Sequence, residues 1–193
     1  IGVDIGYGNT KTAHICMGSG ISKLATKPPI NTGVVEWNGN YYSVGGQKMT
    51  IQQSKVEDEN TLVLTLAAIA EEMKLVNTTS AYVYLGVGVP LTRMGKEKDE
   101  MQSYYMRNRH YTFRYEDKIY SIVLNSVSVF PQGYAGIASM LGELPNSALV
   151  IDIGSWTVDL LPIEAKRPIL EKCKSINNGT IPAMNDINED LRQ

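Results

Sequence analysis

The sequence predicts an α/β protein with a mixed sheet flanked by helices. Three observations carry this expectation. Short apolar strand patterns alternate with helical ones along the chain. The run Ala81 to Val89 stays apolar until Pro90 stops it, as suits a strand inside an open sheet. Two apolar strands, one near each end of the chain, close on the same tripeptide, Asp4-Ile5-Gly6 and Asp152-Ile153-Gly154.

Taken in order, Ile1 to Gly6 reads as a strand, Tyr7-Gly8-Asn9 as a turn, and Thr10 to Met17 as one returning strand of a hairpin. Between Gly18 and Gly46 come the pair Pro28-Pro29 and the stretch Trp37-Asn38-Gly39-Asn40-Tyr41-Tyr42, whose Asn-Gly signals a tight turn. A small β-rich insertion is expected over residues 21–60. Asp58-Glu59-Asn60 supply acidic and capping residues ahead of a helix from Thr61 to Leu75, where Leu62, Leu66, Ile69, Ala70 and Met73 recur at helical spacing.

Gly95 to Arg107 reads as a charged helix. Tyr111 to Tyr115 and Lys118 to Val129 form a hairpin about Glu116-Asp117, and Phe130-Pro131-Gln132-Gly133 breaks it before a small-residue helix from Tyr134 to Leu141. Leu149 to Gly154 and Thr157 to Ile163 make the second glycine-turn hairpin. Ser175 to Thr180 then opens a helix over Ile181 to Leu191, with Thr180 able to cap it and Pro182 tolerated in its first turn. Gly179 reads as a plain loop glycine, with a place beside a site as the alternative.

Composition narrows the function classes. A net charge of -2 gives no support to a basic nucleic-acid surface, and the local group Arg107, Arg109, His110 and Arg114 reads as a solvated face. No apolar run is long enough to cross a bilayer as a helix. Cys16 and Cys173 are too few and too far apart for a disulfide framework or a metal motif, which suits a reducing, cytoplasmic setting. The chain opens inside a strand pattern at Ile1, and Asn185 to Gln193 still reads as helix, so native residues are expected on both sides.

The chemistry concentrates in the two glycine turns. Gly6 and Gly8 allow successive amide N–H groups to converge on a phosphate without interference from Cβ atoms. Lys11 adds a point charge, and Asp4 stands at a strand end where it can hold a water of a Mg²⁺ shell. One such turn is as readily an ordinary hairpin. The second copy, Asp152-Ile153-Gly154-Ser155-Trp156-Thr157, implies a polyphosphate shared by two hairpin turns, with one aspartate from each strand serving a single metal. The rival phosphate motifs fit worse: strand rather than helix follows the first glycines, and no Gly-x4-Gly-Lys-Ser/Thr run occurs.

These paired turns resemble the two phosphate loops of the superfamily of actin, heat-shock chaperone ATPases and sugar kinases. The segment Val127 to Gly136 resembles the family's connecting stretch, with Gln132 where a water-orienting residue belongs. Asp58 to Leu62 with its helix, Leu85-Gly86-Val87-Gly88-Val89-Pro90-Leu91-Thr92 and the Phe-Pro-Gln-Gly segment are similar to the ParM/StbA and Alp group of plasmid-segregating actins.

The resemblance implies an actin-like ATPase fold of the ribonuclease-H-like kind, with a first domain over residues 1–163 and the start of a second over 164–193. It implies ATP and Mg²⁺ as ligands, self-association into filaments, a DNA-bound adaptor as partner, and neither direct nucleic-acid binding nor a membrane. Asp4 and Asp152 would face Mg²⁺ through water. Gly6, Tyr7, Gly8 and Asn9 with Lys11, and Gly154, Ser155, Trp156 and Thr157, would hold the phosphates. Gln132 and Asp152 would serve hydrolysis.

Trp156 departs from the small residue that relatives carry there, and the base and ribose contacts are expected beyond Gln193. Two alternatives stay open: a small-molecule kinase of the same superfamily, although no convincing substrate base follows Pro131, and a non-hydrolysing actin-like scaffold.

Overall fold

The computed structural model describes residues 1–46 and 59–192. Asp58, expected to help cap the first helix, lies with residues 47–57 of the expected insertion outside the described residues, and the last two residues of that insertion, Glu59 and Asn60, open a helix instead. The strands are β1 (Gly2–Ile5), β2 (Asn9–Lys11), β3 (Cys16–Gly18), β4 (Gly20–Leu24), β5 (Val34–Trp37) and β6 (Asn40–Gly46), followed by helix α1 (Glu59–Leu75) and strand β7 (Ser80–Val89). Next come α2 (Met94–Met106), β8 (His110–Tyr115), β9 (Lys118–Pro131), α3 (Tyr134–Ile137), β10 (Ser147–Ile153), β11 (Val158–Glu164), β12 (Arg167–Pro168), β13 (Lys174–Ile176) and α4 (Thr180–Asp190).

Two compact units emerge, one of Ile1–Val87 with Glu97–Val129, the other of Gly88–Lys96 with Phe130–Gln193. Among the described residues, nine strands form one sheet in the order β3-β2-β1-β7-β9-β8-β5-β6-β4. The sheet is mixed, because β1 runs parallel to β7, with Val3 opposite Val87, and antiparallel to β2.

In the first unit α1 packs against β1, β2, β5, β6 and β8. The expected helix forms, and every residue from Thr61 to Ala70 is buried, with Met73. The sheet takes one side, and Tyr105 of α2 reaches the helix as well, its hydroxyl 2.8 Å from that of Thr65. The Thr65 hydroxyl also donates to Thr61 O at 2.9 Å, so its burial leaves it partnered. Apolar side chains such as Leu62, Leu66 and Ile69 each contribute about 1.5–3 kcal/mol by leaving water.

Three local expectations change. Thr10 to Met17 is two strands rather than one. Thr12 N–H bonds Ile15 O at 2.9 Å and the Thr12 hydroxyl accepts from Ile15 N–H at 3.0 Å, which folds β2 back onto β3. The β-rich stretch after Gly18 joins the large sheet through β5 and β8, with Val35 opposite Tyr115. Its Asn38-Gly39 turn has φ of 49° and 72°, the two positive values a tight hairpin needs. Strand β7 is interior to the sheet as expected but not covered on both sides: Tyr82 and Tyr84 are 75% and 66% exposed, while Val83, Leu85, Val87 and Val89 are buried. Tyrosine tolerates that position because its hydroxyl end stays in water.

In the second unit, β10 pairs antiparallel with β11, whose other side takes β13 at Val158 and β12 at Ile163. The helix expected over Tyr134 to Leu141 is a single α turn that tightens into a 3-10 turn at Ala138–Met140. Gly179, not Thr180, takes the capping position of α4, with extended backbone at φ -68° and ψ -173°, and no side chain caps the helix.

Candidate functional site

The first turn is fixed by register. Asp4 pairs with Lys11 and Ile5 with Thr10 across β1 and β2, leaving Gly6 to Asn9 as the turn. Gly6 N–H donates to Asn9 O at 2.9 Å. A Cβ on Gly6 would stand 3.0 Å from that same oxygen, tighter than side chains ordinarily sit, so the close approach favours glycine. Gly8 O accepts from Ser19 N–H at 3.0 Å, and the buried hydroxyls of Ser19 and Thr10 lie 2.9 Å apart beneath it. Asp4 and Lys11 are exposed, and Tyr7 is half-buried.

Further support for this hairpin comes from α1. Glu72 accepts hydrogen bonds from the Thr12 hydroxyl and, at 3.1 Å, from His14 N–H, and its other oxygen lies 2.9 Å from His14 Nδ1. Burial pushes the Glu72 carboxyl up, but these Thr12 and His14 contacts outweigh it and hold the group below the ordinary carboxylate range.

The second turn repeats the register of the first. Asp152 pairs with Asp159 and Ile153 with Val158, leaving Gly154 to Thr157. Gly154 N–H donates to Thr157 O at 2.8 Å, and a Cβ on Gly154 would stand 3.2 Å from that oxygen. Trp156 occupies the place of Gly8 without preventing the turn bond. Asp159 takes the place of Lys11 and accepts from the Thr157 hydroxyl at 3.3 Å.

Asp152 is half-buried, and its Oδ2 lies 3.4 Å from where a Cβ of Gly133 would sit. Gly133 has φ of 74°, a left-handed bend that follows Gln132, whose N–H bonds Val89 O at 2.8 Å. The structure therefore brings the Gln132-Gly133 bend against the Asp152 carboxylate. Sequence reasoning paired these residues only through the family resemblance, since nothing local links them.

Gly179 is the residue that sequence reasoning undervalued. A Cβ there would meet Trp156 C at 2.5 Å and both Gly154 O and Trp156 N at 2.6 Å, distances that backbone atoms cannot yield. Around it, the Gly179, Thr180 and Ile181 N–H groups donate to Trp156 O, Gly154 O and Ser155 O at 2.9, 3.0 and 2.9 Å. The available signal was a glycine immediately ahead of a helix, a pattern common to many caps.

A family model described as the actin like proteins N terminal domain matches residues 2–134. An archaeal actin homolog, Ta0583, superposes with a TM-score of 0.82 at 21% identity over 98% of this chain and 65% of its own. AlfA from the B. subtilis plasmid pLS32, in its filament, gives 0.75 at 16% identity over 98% of this chain and 76% of its own. Bacillus thuringiensis ParM with ATP gives 0.74 at 15% identity, over 99% and 63%. Comparison with curated protein sequences finds no match. The chain thus spans about two thirds of the archaeal homolog and shares the actin-like fold with it. With more than half its length matched by that model, the chain belongs to the actin-like proteins and carries their N-terminal domain.

Proposed function

We propose that this chain is the phosphate-binding part of an ATP-hydrolysing, filament-forming actin-like protein that serves plasmid DNA segregation through a DNA-bound adaptor. The observation that carries the reading is the repeated turn, in which Gly6 and Gly154 make the same hydrogen bond at the same distance in sequence from Asp4 and Asp152. Phosphate loops need close backbone approach, and glycine at both positions permits it in both turns.

In this reading Gly6 and Gly154, whose own N–H groups close the two turns, let the backbone of Tyr7, Gly8 and Asn9 and that of Ser155, Trp156 and Thr157 approach phosphate oxygens, with Lys11 adding a charge in the first turn alone. Asp4 and Asp152 hold Mg²⁺ through water. Among the described residues no group of three or more His, Cys, Asp or Glu is placed to hold a metal directly. One or two carboxylates suit Mg²⁺, which keeps several of its waters. Bound Mg²⁺ supplies charge neutralisation on the phosphates. Gln132 orients the attacking water, and the protein contributes mainly position and fixed dipoles. Filament formation draws its support from the AlfA structure, which is a filament.

Sedimentation of the intact protein tests the reading. A pellet that forms with Mg-ATP and phosphate release that falls about 10–100-fold in Asp152→Ala, with thermal stability kept, are the expected results. Transfer of phosphate to a small hydroxyl acceptor with no pellet makes the protein a kinase instead. Assembly with phosphate release unchanged by Gln132→Ala makes it a scaffold.

A further inference from the structure

We infer that the first turn of α4, seated through Gly179, is the device that aims the amides of the second phosphate turn, so that Gly179 and the N–H of Thr180 are positioning elements for phosphate binding. The inference rests on the proposed role of that turn. Its geometry starts from the planar trans peptide, in which the carbonyl and the following N–H point in opposite directions. No cis peptide occurs among the described residues.

Each of three consecutive peptides is held by its carbonyl. Gly154 O is taken by Thr180 N–H, Ser155 O by Ile181 N–H and Trp156 O by Gly179 N–H. The N–H groups of the same peptides belong to Ser155, Trp156 and Thr157. All three must therefore point away from α4, toward one side. Three successive amides on one side make an anion-binding concavity. Free α4 amides are not the phosphate ligands here, because the first-turn donors that face this loop are already bonded to it.

This arrangement also accounts for Trp156 where a small residue was expected. With the carbonyls clamped, the direction of the amides is set by α4 and not by the torsional freedom of the turn residue. Gly179 is then indispensable in a way Trp156 is not, since a Cβ at 179 would collide with the Gly154–Trp156 backbone at 2.5–2.6 Å. The turn would have to move off the helix.

Two variants of the intact protein test this, read by calorimetric binding of Mg-ATP and of adenosine. Gly179→Ala displaces the whole turn. Thr180→Pro deletes only the N–H given to Gly154 O; proline suits the first helical position, and the extended Gly179 ahead of it is compatible. Circular dichroism and melting establish that each variant folds.

The expected result is Mg-ATP binding weakened about five- to tenfold in Thr180→Pro and more in Gly179→Ala, with adenosine affinity unchanged. A merely structural role weakens both ligands alike and overturns the inference, as does wild-type Mg-ATP affinity in a folded Thr180→Pro. A wild-type protein that binds adenosine and Mg-ATP equally overturns the proposed function and this inference together. Loss confined to the variants' phosphate-dependent affinity supports both.

Discussion

In the second hairpin three carbonyls of the turn are gripped by the start of one helix, whereas in the first Gly8 O accepts from the N–H of Ser19, between β3 and β4. The registers match, aspartate for aspartate and glycine for glycine, yet Lys11 in one becomes Asp159 in the other. The first turn is anchored from below, by the buried Thr10–Ser19 hydroxyl pair and by Glu72 of α1 holding the Thr12–Ile15 bend. Under the proposed function, the comparison teaches that one backbone frame can be built into a phosphate turn by two routes. The first keeps glycine at position 8 and adds a cation at Lys11. The second accepts Trp156 and relies on a helix to orient its amides.

The largest expected effect tests whether the two frames are equivalent. Asp4→Ala and Asp152→Ala should each lower Mg-ATP hydrolysis about 10–100-fold, as removal of outer-shell carboxylates does. A loss in one variant and full activity in the other would break the equivalence at its root.

A smaller effect sharpens the difference. Lys11→Ala should weaken Mg-ATP binding about tenfold while moving stability by under about 0.5 kcal/mol, because Lys11 is exposed. Asp159→Ala at the matching position should leave binding equal or tighter, since under the proposed function it removes a negative charge beside the phosphates. Titrations of the two variants under one salt condition decide it.

Much of this frame is legible in the sequence because it is local. An aspartate closing an apolar strand and a glycine after one intervening residue are enough to place Gly6 and Gly154, and Asn38-Gly39 forms the turn its residues demand. What stays hidden depends on partners distant in the chain. Nothing in Thr10 to Met17 announces the bend at Thr12, which is secured by Glu72. The junction of β5 with β8 is likewise a tertiary choice, and so is the all-round burial of α1, which needs Tyr105 as well as the sheet. Gly179 looks like any cap until the Gly154–Trp156 backbone is found against it. The nearness of Gly133 to Asp152 joins two segments that no periodicity connects.

The smallest effect concerns the anchor of the first hairpin. Hydrogen bonds from Thr12 and His14 lower the folded-state value of Glu72 below 4.5. Its stabilisation is therefore complete above about pH 4.5 and lost as pH falls through the lowered folded value. Glu72→Gln should cost about 1 kcal/mol at pH 7 and flatten the acid limb of stability, as melting curves between about pH 3 and pH 7 will show. His14, 66% exposed, contributes little as an ion partner.

The most direct test of the central claim is an amide proton and nitrogen NMR titration of the intact protein with Mg-ATP. Charge-assisted hydrogen bonds to phosphate should shift the amide protons of Gly8 and Asn9 in the first turn, and those of Ser155, Trp156 and Thr157 in the second, downfield together. Saturable Mg-ATP binding that leaves both sets unmoved would contradict the assignment of the two turns as phosphate loops.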